Sequence, residues 1–93
     1  MLMTAEQLFA ADHAVRAFLR TADRRRTINY NLSSYGWKHI VEQWSVIVFG
    51  RHIYIPNALF IDIAQSMGIR SERCEPDSPN WWFALRSPEW PSQ

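Results

Sequence analysis

A single cysteine, Cys74, leaves this chain without an intramolecular disulfide and without the multi-cysteine patterns that hold structural zinc. That usage fits a reducing, cytosolic setting. Glycine is almost as scarce: Gly36, Gly50 and Gly68 support no G-x-G-x-x-G, no Walker loop and no G-x-S-x-G turn. The three histidines, His13, His39 and His52, share no H-x-x-x-H or H-x-E spacing, so neither a metal nor a cofactor is expected. No apolar run approaches the roughly 18 residues of a membrane span, and Met1 to Glu6 shows neither the basic nor the apolar region of an export signal. No membrane association is expected. Lysine occurs once, as Lys38, so nine of the ten cations are arginine, whose planar fork suits bidentate recognition of phosphate and carboxylate.

What is abundant is apolar and aromatic. Of 93 residues, 47% are hydrophobic and 14% aromatic, enough for one packed core with no room for a second catalytic domain. The expected organisation is a single domain over 1–86 and a Pro-rich tail over 87–93. Five tryptophans exceed what so small a core needs, which points to an aromatic surface for a partner.

Thr4-Ala5-Glu6-Gln7 spells a capping box, and Leu8, Ala11, Val15, Phe18 and Ala22 recur at steps of three and four, predicting a helix over about 5–22. Arg16, Arg20 and Arg24 form a second stripe on it, extended by Arg25 and Arg26. Thr27 to Leu32 is short and Asn-rich and reads as an extended connector. Ser33 or Ser34 offers the cap of a second helix, with Trp37, Ile40, Trp44 and Ile47 as its stripe, running to about residue 46. The β-branched run from Val46 to Ile55, with Gly50-Arg51 as a type II′ turn, suggests a short strand. Pro56 and Asn57 open a third helix over 57–67, closed by Gly68. Residues 69–74 and 81–86 flank a Pro/Asp/Asn loop and predict a hairpin. The fold class expected is α+β, three helices and a small antiparallel sheet with its hairpin after the third helix, the element order of a winged helix.

Charge is lopsided. From Arg16 to Arg26 five arginines outnumber Asp23, a net +4, whereas Glu72, Glu75, Asp77 and Glu89 outnumber Arg73 and Arg86 by two. Arg16, Arg20, Arg24, Arg25 and Arg26 are therefore candidate partner-binding residues. Strand alternation puts Trp81, Phe83 and Leu85 on the core side and Trp82, Ala84 and Arg86 on the other, so Trp82 and Arg86, with Trp90 of the tail, are candidate anchors. Lys38, His39 and Glu42 read as the solvated face of the second helix, and Cys74 as a small apolar residue near a strand end. No catalytic constellation is present, and an enzyme is not expected.

The segments Ser33-Ser34-Tyr35-Gly36-x-Lys38-His39-x-Val41-Glu42, Tyr54-x-x-Asn57-x-x-Phe60-Ile61 with Gly68, and Ser78-Pro79-Asn80-x-x-Phe83 resemble a scattered group of small phage and mobile-element proteins with the blocks SSYGLKHxVE, YVSNGxFIxAA and SPNxxFN. The likeness covers about residues 27–86. It departs at Pro56, Ala58 and Ile69, and the arginine-rich first helix lies outside it. In size and character the chain is similar to the anti-CRISPR class, which implies a non-catalytic inhibitor that binds a CRISPR-Cas effector complex in the cytoplasm of a bacterial host. Ser33, Ser34, Tyr35, Lys38, His39, Glu42, Tyr54, Asn57 and Asn80 are then expected to form a structural polar cluster. The alternative is a winged-helix DNA-binding regulator using the basic helix. Self-association is left open.

Overall fold

The computed structural model describes residues 2–89 and has the order α1 (Ala5–Thr21), β1 (Arg24–Ser33), α2 (Ser34–Phe49), α3 (Asn57–Ser66), β2 (Ser71–Arg73) and β3 (Trp81–Leu85). The fold is α+β, with three helices on one side of a three-stranded antiparallel sheet of order β1-β3-β2. Among the described residues no helix is long and apolar enough to cross a membrane.

α1 starts with the capping box: the Gln7 amide donates to Thr4 Oγ1 at 3.1 Å and the Thr4 amide to Gln7 Oε1 at 2.8 Å. It buries Ala11, Ala14, Val15, Phe18 and Leu19, while Leu8 stays 44% exposed. The helix stops earlier than its arginine stripe suggests. The Thr21 hydroxyl and the Ala22 amide both donate to Phe18 O, and the chain turns extended at Ala22. Arg24, Arg25 and Arg26 therefore belong to β1 and not to the helix.

β1 replaces the connector expected at 27–32. Asn29, a residue that signals a loop, is 1% exposed and points inward, where its Nδ2 donates to Leu85 O at 2.9 Å and Ser87 Oγ at 2.8 Å. Its Oδ1 accepts the Asn31 amide, which accommodates an irregular register along β1. The partners that satisfy it lie more than fifty residues on, beyond the reach of any local pattern.

α2 runs to Phe49 rather than 46, and residues 50–56 form no strand. Gly50, at φ 77, is the left-handed residue that ends the helix, not the corner of a hairpin. The β-branched run finds no strand to pair with, so the helix simply continues through it. α3 and the β2–β3 hairpin lie where expected. Pro56 takes the N-cap position of α3, however, and Asn57 makes no side-chain cap.

β3 is the central strand. Phe83 and Leu85 are fully buried, and Phe83 meets Phe60 of α3 edge-on at 5.4 Å. Trp37 of α2 fills the middle of the core beside Phe18, 6.1 Å away between ring centres. Just beyond β3, the Arg86 amide donates to Asp23 O at 2.8 Å and Ser87 is held by Asn29.

Candidate functional site

The sheet face turned away from the helices carries the first candidate surface. Trp82 sits between Ser33 of β1 and Glu72 of β2, and Tyr30 approaches its ring edge-on at 5.8 Å. Tyr30 is 60% exposed, and its hydroxyl donates to Glu72 Oε1 at 2.6 Å; the acceptor carboxylate, more than burial, holds the phenol above its ordinary pKa. Arginines line the same edge strand and its neighbours. Arg70 Nη1 donates to Arg26 O at 3.2 Å, and Arg24 Nη2 donates to Met67 O at 2.9 Å, so two guanidinium groups clip the edge of β1 to the end of α3 and the start of β2. Arg25 bonds Thr27 and is exposed.

The structure thus places Arg24, Arg25 and Arg26 at the start of β1, opposite Leu85, and Trp82 towards the other end of the β1–β3 pairing, opposite Ser33; Arg16 joins neither. Arg16 remains on α1, its Nε bonded to Asp12 at 2.7 Å. Arg20 is exposed on α1 and Arg86 exposed after β3, whereas Trp90 lies outside the described residues. Tyr30 and Arg70 belong to this face and were missed in the sequence. Tyr30 was hidden because β1 read as a connector; Arg70 carries no local signal.

The second candidate is the cluster on α2, and here the solvated-face expectation is overturned. Lys38 and Glu42 are each 5% exposed, because residues 51–55 fold back over this side of the helix and bury Ile53 and Ile55 against it. Lys38 Nζ donates to Glu42 Oε2 at 2.9 Å, and the same oxygen accepts the Ile55 amide at 3.0 Å. Glu42 Oε1 faces His39 Nδ1 at 3.0 Å and His52 Nε2 at 3.6 Å. Tyr54 covers the ammonium, with its ring centre 4.4 Å from Nζ, and Tyr35 stands 5.7 Å away with its ring edge-on to His39. Burial pushes the Glu42 carboxyl up, yet the Ile55 amide, Lys38 and His39 together outweigh it and hold the group below its ordinary value of 4.5. An ionised carboxylate so fully engaged is a weak base and a strong anchor. His52, on the connector, is its one member that no spacing rule pointed to.

The other block residues also act as ties between elements. The buried Ser34 hydroxyl accepts the Trp81 amide at 3.1 Å, fixing the start of α2 to β3, while Ser33 makes no side-chain cap bond. Asn57 Nδ2 donates to Asn80 Oδ1 at 3.0 Å, joining the start of α3 to the hairpin loop. Replacing Asn57 with alanine should cost about 1 kcal/mol, the worth of one part-buried hydrogen bond, read as a lower urea midpoint with an unchanged slope. Unaltered stability would show that the loop is held by something else.

Two open grooves lie elsewhere on the surface. One of about 540 Å³ lies among Met3, Gln7, Ala10, His52 and Tyr54, and another of about 570 Å³ lies among Phe18, Trp37, Trp44, Ile47, Val48 and residues 86–89. Among the described residues no three His, Cys, Asp or Glu side chains converge as metal ligands. Cys74 is half-buried, and burial, then Glu75, push its thiol pKa up, away from nucleophilic character. No protein-family model matches the chain, and no curated protein and no solved structure is significantly similar to it.

Proposed function

We propose that this protein is a non-catalytic binder that acts by occupying a surface on a larger macromolecule, using the outer face of its sheet. The observation that carries the reading is the exposed Tyr30 ring against the part-buried Trp82, with Arg70 near them and Arg24, Arg25 and Arg26 exposed at the start of the same edge strand. Aromatic and arginine side chains are the residue types that most often dominate binding energy at interfaces. The polar side chains of the α2 cluster, by contrast, are spent on one another and on backbone amides. The partner that the size and the sequence blocks favour is a CRISPR-Cas effector complex of a bacterial host, blocked by occupancy.

The test is capture of effector subunits from nuclease-treated lysate of a host with an active CRISPR system. Reversing Arg24, Arg25 and Arg26 to glutamate together with Trp82→Ala should weaken stoichiometric capture at least about 30-fold, since each lost anchor is worth on the order of 2 kcal/mol. Capture that survives these changes places the contact elsewhere.

A second reading, duplex binding, is supported by the order helix, strand, two helices and hairpin, with three consecutive arginines on the edge strand. Against base readout, α3 carries neither Arg nor Lys. Such binding would be backbone-directed, with log affinity falling against log salt by about 0.9 per phosphate neutralised, and absence of duplex binding at low salt removes it.

A further inference from the structure

The end of α2 is built unlike the rest of the surface. Val46, Ile47, Val48 and Phe49 are consecutive and 46%, 62%, 50% and 38% exposed. At 3.6 residues per turn, four neighbours take up most of the helix circumference, so this last turn is apolar all round. Among the described residues, those of α2 that are buried end at Ser45, and Ile47 and Val48 line only the open groove shared with residues 86–89. The patch continues onto α1, where the His13 ring lies 5.8 Å from Phe49, and Phe9, one turn before His13, is 76% exposed with Leu8 beside it.

Two features of this patch fit one occupant. The first is its neutrality: from Gln43 to Gly50 there is no charged side chain. In a two-fold pairing the groups on the axis meet their own copies, so a charge there would face its like, and a neutral helix end at the centre avoids that repulsion. The second is area. The six side chains expose on the order of 500 Å² of apolar surface, at the upper end of what the largest patch of a monomer shows. A standard dimer buries about 800 Å² per partner, roughly 65% of it apolar at homodimer interfaces, which calls for the same amount.

We propose that two copies of this chain associate through the end of α2 and the Leu8–Phe9 turn of α1, as an isologous dimer. The pairing goes beyond the binding reading above and leaves the Tyr30–Trp82 sheet face of each copy free, so the assembly is bivalent towards a partner.

Sedimentation equilibrium across the micromolar range tests it, with the full chain. The expected result is a reversible species of twice the 11.0 kDa chain mass. Ile47→Glu should raise the dissociation constant at least about 100-fold, because a charge would be desolvated opposite its own copy. Phe9→Glu, on the other helix, should do the same independently of how α2 tolerates substitution, with circular dichroism showing both variants folded. Arg24→Glu, on the sheet side, should leave association unchanged. A wild-type chain that stays monomeric throughout, or a dimer that survives both Ile47→Glu and Phe9→Glu in folded protein, overturns the proposal.

Discussion

Glu42→Ala is expected to destabilise the fold by about 3 to 5 kcal/mol, the cost of leaving a buried charge, here Lys38, without its partner. Against a total stability of about 5 to 15 kcal/mol, that is enough to leave a substantial unfolded population. The magnitude follows from what the one carboxylate does: it takes the Lys38 ammonium and the Ile55 amide on one oxygen and faces His39 and His52 with the other. Removing both charges with shape kept, as in Lys38→Met with Glu42→Leu, should recover most of the loss, since well-packed apolar replacements of buried pairs are often neutral. The double-mutant cycle, by urea denaturation, separates the pair from the amide bond. pH gives an independent readout. Because the folded carboxyl lies below 4.5, its contribution is complete above that value and is lost as pH falls through the folded pKa. Glu42→Gln should lower stability at neutral pH and lose this part of the acid sensitivity. Equal acid sensitivity in Glu42→Gln and the parent protein would show that Glu42 is not the group responsible.

Trp37→Ala is the second large effect expected, about 3 to 5 kcal/mol from lost burial and the cavity left behind. Trp37 is fully buried and packs with Phe18, which in turn stacks edge-on with Trp44 at 5.4 Å. For a domain of this size each kcal/mol shifts the melting temperature by roughly 4 to 8 °C, so a thermal melt resolves the change easily. Trp37→Phe should cost far less. The Trp37 Nε1 is buried with no hydrogen-bond partner, so phenylalanine removes ring volume but also removes an unsatisfied donor. A Trp37→Phe loss as large as that of alanine would mean that the indole N–H is bonded in solution, for instance to a trapped water.

The parts of the fold that could be read from sequence are those closed by local rules. Thr4 and Gln7 specify the start of α1 within four residues, Pro56 and Gly68 bracket α3, and the Pro/Asp/Asn loop marks the hairpin. What could not be read depends on distant partners. β1 looks like a loop until Leu85 O and Ser87 satisfy Asn29, and the Lys38–Glu42 pair looks solvated until the 51–55 segment folds over it. The same limit applies to the candidate surface. Alternation on β3 turned Trp82 outward, but its companion Tyr30 came into view only with the β1–β3 pairing. The arginine stripe failed for a simpler reason: spacing of i, i+4, i+8 says nothing about where the helix stops, and Thr21 and Ala22 stop it first.

The strand order β1-β3-β2 sets a timetable for folding as well as a shape. Among the described residues β1 pairs with β3 alone, whose residues are made roughly fifty positions later, so during synthesis a ten-residue strand waits with both edges unpaired. Closing so long a loop slows folding, and a waiting strand is open to pairing with other chains. Arg24, Arg25 and Arg26 at its head supply the like-charge repulsion that discourages such pairing. The same arginines proposed to meet a partner in the finished protein thereby guard the nascent chain against its own neighbours on the ribosome.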